Sequence, residues 1–285
     1  MKVHGSLAAL PLLSASFFGL GVGFADRSNP DLRLYEFDCG RLYYDSPESA
    51  GFGVTDDATK VRELFVPCYL VEHPEGRLLW DGGLPSEIAE KDGWHEFEGW
   101  RYRLDRTLAD QLANIGLTYD SIGYAAFSHM HFDHVGVAND VTSPTLLIQR
   151  PEYEAAFADE VTTPGFDSSL YEGLANRDWD VLDGDHDVFG DGRVRILSLP
   201  GHTPGHQALF LDLERQGPVV LSGDLYHFRI SRAQRIVPTW NVDADATLAS
   251  MDRLEAFLAN SGATLWIEHD LARFLEGSPT AGYHD

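Results

Sequence analysis

The sequence predicts an α/β fold on three observations. Short apolar runs of strand character fall into an early and a late batch. Stretches of helical spacing lie between and after them, and no internal repeat or low-complexity linker divides the 285 residues. At 44% hydrophobic, that length suits one large domain with a full core. In order, Leu32 to Asp38, Leu64 to Val71 and Arg77 to Trp80 read as strands. Leu104, Leu108, Leu112 and Ile115 then recur at helical spacing, stopped by Gly116. Tyr124 to Phe127 and Leu146 to Gln149 are short strands, the second leading into a helix that opens at Pro151. The late batch is Val194 to Leu199, Gln207 to Leu213 and Val219 to Leu221. Thr247, Met251, Leu254 and Leu258 mark a last helix before the apolar run Thr264 to Ile267.

Two segments lack periodicity. Pro85 to Tyr102 carries Trp94, Phe97, Trp100 and Tyr102, which offer either an apolar wall for a ligand or a cap on the core. Thr162 to Asp180, with Phe166, Tyr171 and Trp179, offers either closure over a pocket or a contact between two copies in a homodimer.

Lysine and arginine number 21 against 45 aspartates and glutamates, a formal charge of -24. A nucleic acid would be repelled rather than gathered. Lys2 precedes an apolar stretch from Leu7 to Phe24, and Gly23-Phe24-Ala25 places small residues before Asp26. Residues 1–25 therefore read as a secretion signal, with 26–285 as the mature domain, exported to the periplasm or outside the cell. Beyond that signal no stretch is long and apolar enough to span a membrane as a helix. Cys39 and Cys68, the only cysteines, both fall on strand-like runs and read as buried small hydrophobes, with a disulfide between them the alternative that export would favour.

The chemistry is concentrated in Ser128-His129-Met130-His131-Phe132-Asp133-His134, an H-x-H-x-D-H pattern. In an extended segment alternate side chains share a side, so His129, His131 and Asp133 converge while Met130 and Phe132 turn into packing. His129 and His131 can share one cation, and Asp133 with His134 can reach a second. Further ligands follow later strands: His202 in Pro200 to His206, Asp224 after Val219 to Leu221, and His269 after Thr264 to Ile267. The set reads as His129, His131 and His202 on one metal and Asp133, His134 and His269 on the other. Asp224 bridges them, since a carboxylate can span metals about 3.5 to 4 Å apart. Five histidines with two carboxylates suit two zinc ions, although cobalt, manganese or iron fit the same mixed site. His206 reads as a partner that orients a ligand, and Asp81 as an acceptor that fixes a ligand tautomer. His4, His73, His95, His186 and His284 have no companion pattern and read as solvated or structural.

Over about residues 32 to 275, this set and order resemble the metallo-β-lactamase fold superfamily and, within it, the N-acyl homoserine lactonases. Softer features carry the lactonase likeness: Leu34 to Gly40, Trp80-Asp81-Gly82-Gly83, the run ending at Gln207, and Glu268-His269-Asp270. The resemblance implies an αββα sandwich of two mixed sheets with flanking helices, and a lactone ring opened by a hydroxide held between two metals. It also implies Asp133 as the shuttle that protonates the leaving alkoxide. Thioesterases of the glyoxalase II type would need a further helical domain, for which the roughly 16 residues after His269 leave no room. One position departs from the pattern: lactonases of this group place a tyrosine three residues after the bridging aspartate, where this chain has His227 preceded by Tyr226. Either side chain is a candidate donor to the substrate carbonyl. The alternative activity for the same two metals is hydrolysis of another ester class, such as an aryl ester, an organophosphate or another lactone.

Overall fold

The computed structural model describes residue 1 and residues 32–97, 99–141, 144–277 and 282–285. The expected secretion signal lies outside them. Asp31–Asp285 forms one unit by internal contacts.

Two mixed sheets face each other. The first has eight strands in the order β4-β5-β1-β2-β3-β6-β7-β8. These are β1 (Arg33–Tyr43), β2 (Glu63–His73), β3 (Gly76–Trp80), β4 (His95–Phe97), β5 (Trp100–Arg103), β6 (Tyr124–Ala126), β7 (Thr145–Gln149) and β8 (Trp179–Leu182). Its early strands pair antiparallel, whereas β3, β6, β7 and β8 run parallel. The second sheet, β13-β12-β11-β10-β9, comprises β9 (His186–Asp187), β10 (Val194–Ser198), β11 (Gln207–Leu213), β12 (Gly217–Leu221) and β13 (Thr264–Trp266). Only β12 and β13 pair in parallel within it.

Alternation along the strands divides the core into layers. Tyr69, Val71 and Trp80 meet Ile196, Leu209, Leu211 and Leu221 between the sheets. The intervening Cys68, Leu70 and Leu79 face outward onto Leu108 and Leu112 of α1 (Leu108–Asn114) and Ala156 of α2 (Arg150–Ala156). On the far side, Ala208, Phe210 and Val220 pack against Met251, Leu254 and Leu258 of α4 (Ala244–Ser261), which follows the short α3 (Arg229–Gln234). This is the expected αββα sandwich. A last helix, α5 (Leu271–Gly277), follows β13.

Several expectations change in detail. Leu104 lies outside α1, because the Thr107 side chain accepts from the Asp110 N–H and starts the helix there. Pro85 to Tyr102 supplies β4 and β5, which extend the first sheet at its edge. Within it Trp94 packs on Tyr43, and Trp100 on Tyr44 and Phe52. His73 and His284 are buried, His73 stacked on Phe189 with its Nε2 3.0 Å from Asp191.

Of the two readings of the cysteines, the structure takes the alternative. Both are buried as expected, but they are joined in a disulfide with Cα atoms 5.7 Å apart. Cys68 pairs with Phe37 across the β1–β2 ladder, so Cys39 is its diagonal neighbour on the same face, at an irregularity in register between Asp38 and Arg41. Closing a loop of 29 residues restricts the unfolded chain by about 3 to 4 kcal/mol. Replacing both cysteines with serine should therefore lower the denaturant midpoint by a corresponding amount, measured by urea unfolding against the oxidised protein. An unchanged midpoint would show that the pairing contributes nothing.

Candidate metal centre

Every candidate ligand sits where a strand ends. β6 leads into Ser128-His129, β10 into the His202 turn, β12 into Asp224 and β13 into His269, while β3 delivers Asp81 behind them. The loops at the carboxyl ends of these strands thus converge, the usual location of a site in such sheets.

H-x-H-x-D-H does not continue as a strand. The His134 N–H donates to the His131 carbonyl at 3.0 Å, closing a turn that separates the ligands into two groups. His129, His131, His202 and Asp224 form one group, and Asp133, His134 and His269 the other. In the first, His202 Nε2 lies 3.0 Å from His129 Nε2 and 3.2 Å from His131 Nδ1. Asp224 Oδ2 is 3.4 Å from His202 Nε2 and 3.7 Å from His129 Nε2. In the second, Asp224 Oδ1 is 2.8 Å from His269 Nε2 and 3.4 Å from His134 Nε2, and Asp133 Oδ2 is 3.8 Å from each of those nitrogens. Ligand atoms arranged tetrahedrally around a small divalent cation stand about 3.3 Å apart, which these separations straddle.

The outer nitrogens decide what the inner ones can do. His134 Nδ1 donates to Asp81 Oδ2 at 2.8 Å, and His269 Nδ1 to the Phe65 carbonyl at 2.6 Å. His202 Nδ1 donates to Asn241 Oδ1 at 3.1 Å, and His131 Nε2 to the Pro164 carbonyl at 3.0 Å. Each of these acceptors takes a proton and has none to give, so the opposite nitrogen presents a lone pair to the centre. Buried lone pairs directed at one another repel, and a cation between them removes the penalty. Among the described residues, buried His134 Nε2 and Asp224 Oδ1 have no hydrogen-bond partner, as atoms reserved for a cation would be. The residues fit a pair of divalent metals.

Asp224 is held by its backbone. Its N–H donates to His206 Nε2 at 2.9 Å, while His206 Nδ1 donates to the Leu199 carbonyl at 2.9 Å. A Cβ on Gly223, whose φ is +50°, would lie 2.5 Å from His206 Nε2, so glycine permits this approach. Burial would raise the Asp224 carboxyl, but the imidazoles of His269, His227 and His134 outweigh it and hold the pKa well below the usual range. Burial, reinforced by neighbouring imidazoles, keeps His129 and His202 well below theirs. Burial opposes charge on His134 too, yet Asp81, Asp224 and Asp133 raise its pKa well above the ordinary value, so a metal taking the Nε2 lone pair would displace a proton there.

His227 and Tyr226 part ways. His227 is buried with Nε2 3.0 Å from Asp224 Oδ2, facing the centre. Tyr226 points elsewhere, which corrects its candidacy as a substrate donor. Its backbone is extended, so successive side chains oppose, and its hydroxyl donates to Glu255 Oε1 at 3.2 Å in the layer beneath α4. Asp133 is buried at the second group.

The mouth lies at His131, the one member of the two groups that is not buried. Phe166 forms a backbone bridge with His131 and packs its ring 5.9 Å away, so the Thr162 to Asp180 excursion borders the centre. On the other side Trp240 stands 5.3 Å from the His202 ring and 5.1 Å from that of His227. Sequence reasoning missed Trp240, Asn241 and the Phe65 and Pro164 carbonyls. They come from loops remote in sequence from the motif, and a backbone carbonyl leaves no mark in composition.

Residues 61–257 match the Metallo-beta-lactamase superfamily. The chain belongs to that superfamily. It is 30% identical over 246 residues to an N-acyl homoserine lactonase of Bacillus sp., covering 84% of this chain and 93% of that one. It is 28% identical over 269 residues to the N-acyl homoserine lactonase AttM of Azorhizobium caulinodans, covering 90% and 99%. Among solved structures it is similar to an N-acyl homoserine lactone hydrolase with the product N-hexanoyl-L-homoserine bound at its catalytic metal centre, at TM-score 0.74 and 26% identity, covering 89% of this chain and 99% of that one. Membership in the superfamily brings divalent metal binding with it.

Asp81 lies behind the ligands, and its loss should weaken metal rather than unfold the chain. Asp81→Asn should lower affinity for the cation at His134 by about 10 to 100-fold, read by chelator competition. Unchanged affinity would remove Asp81 from the centre's support.

Proposed function

We propose that this chain is a dinuclear zinc hydrolase that opens the ring of N-acyl homoserine lactones. The observation that carries the reading is the pair of ligand groups sharing Asp224, with four imidazoles oriented by acceptors on their outer sides. Its likeness along nearly the whole length of characterised lactonases directs that chemistry to a lactone. The donor set of nitrogens and carboxylate oxygens suits zinc.

Bound there, a pair of divalent cations would supply a water acidic enough to attack a carbonyl near neutral pH and positive charge for the oxygen that gains electrons. The protein's own groups complete the reaction. The Nε2–H of His227, which stands in the place of the expected tyrosine and rests on Asp224 Oδ2, is the donor placed to meet the substrate carbonyl oxygen and stabilise charge as it develops. Asp133 takes the proton given up by the attacking water and carries it to the ring oxygen as the acyl–oxygen bond breaks, leaving an acyl homoserine. Phe166 and Trp240 border the exit at His131 and give the acyl group an apolar path. Export through residues 1–25 agrees with the Cys39–Cys68 disulfide, since oxidising compartments preserve such pairs.

Purified protein loaded with zinc should open acyl homoserine lactones of several chain lengths, and lose that activity to a chelator. Two bound zinc equivalents with no ring opening, alongside cleavage of an aryl ester or aryl phosphate, would replace the lactone reading with the other ester class. Within the lactone reading, His227→Ala should lower kcat/KM by about 100-fold with both metals retained. Tyr226→Phe should leave kcat/KM unchanged. Equal losses in the two variants would contradict the role given to His227.

A further inference from the structure

Glu152 is buried to 1% exposure, among the described residues it has no cationic partner, and nothing in the hydrolytic chemistry calls on it. A carboxylate in that position is costly to bury. What it touches is the backbone on both sides of the first ligand group. Oε1 accepts from the Met130 N–H at 2.9 Å, and Met130 separates His129 from His131. Oε2 accepts from the Gly205 N–H at 2.7 Å, in the turn that carries His202. The two loops are 71 or more residues apart in the chain, and their nitrogens must nevertheless meet within 3.0 to 3.2 Å.

The closeness of the contact is built in. A Cβ on Gly205 would lie 2.6 Å from both the Cβ and the backbone N of Glu152, so any other residue would push the His202 turn away. Glu152 stands in the first turn of α2 on a rigid base, because Gln149 before the helix accepts from the Gly184 N–H at 3.1 Å and donates to Gln207 Oε1 at 3.2 Å. Gln207 in turn donates to the Phe127 carbonyl at 2.9 Å. The second ligand group has no such tie to Glu152.

We propose that Glu152 is a positioning residue: its carboxylate clamps the His129–His131 loop to the His202 turn and so sets the affinity of the first metal site alone. The inference rests on the two-metal assignment and is independent of the substrate. Removing the clamp leaves the three imidazoles present but free to spread, which a cation requiring tetrahedral closure resists.

The test is a zinc titration against a chromophoric chelator on the full chain, comparing wild type with E152Q, whose amide places an N–H against one of the two backbone donors. G205A, which keeps the carboxylate but spaces the loop, is the independent second variant. Wild type should bind two equivalents. In E152Q and G205A one equivalent should weaken by about 10 to 100-fold while the other is unchanged, with the unfolding midpoint of the metal-free protein nearly preserved. Two unaltered equivalents would overturn the clamp. Equal weakening of both, or a metal-free protein destabilised as much as the loaded one, would reduce Glu152 to general support. If E152Q does not fold, G205A decides by the same readout. Wild type binding fewer than two equivalents would overturn the two-metal assignment and the clamp together.

Discussion

The structure turns on the orientation of imidazoles by the acceptors behind them. Asp81, Asn241 and the carbonyls of Phe65 and Pro164 each take an N–H from one ligand histidine. Those bonds fix which nitrogen points inward, and a cluster of buried lone pairs around Asp224 is stable only with positive charge among them. The metal affinity of the centre follows from that constraint. His131 illustrates it, since its Nε2 is engaged with Pro164 and only Nδ1 remains for the centre, unlike His129 and His202, which present Nε2.

The sandwich exists to bring those acceptors into place. Parallel pairing of β3 with β6, and of β12 with β13, sets Asp81 beside Ser128 and Asp224 beside Glu268 at the same end of each sheet. Asp81, whose φ is +60°, is kept in that conformation by two bonds, one from the Ser128 N–H at 2.5 Å and one from His134. Such backbone strain persists where surrounding contacts determine it, commonly at functional sites. Glu268 adds a further tie by accepting from the Trp80 indole at 3.2 Å and the Gly223 N–H at 3.0 Å. The two sheets are therefore linked through the residues that flank the ligands.

Much of this was legible in the chain. The H-x-H-x-D-H residues fall into the two groups as read, and His202, Asp224 and His269 each follow an apolar run that is a strand. The strands between the sheets were legible for the same reason, because burial on both faces leaves an uninterrupted apolar run. Short edge strands such as β4 and β5 were not, since three or four residues at a sheet margin carry no periodicity. The cysteine pairing stayed open in the sequence because a diagonal contact depends on register, which strand propensity does not specify. His227 holds the expected position three residues after Asp224, and the backbone conformation at that bend turns it to the centre and Tyr226 to Glu255. Glu152 had no motif to announce it, as its partners are two backbone N–H groups.

The most direct test is crystallographic: anomalous diffraction at the metal absorption edge from protein grown without chelator. Two peaks are expected flanking Asp224, one ligated by His129 Nε2, His131 Nδ1 and His202 Nε2, the other by Asp133, His134 Nε2 and His269 Nε2. A single peak, or ligation by His131 through Nε2 with its bond to Pro164 broken, would contradict that arrangement.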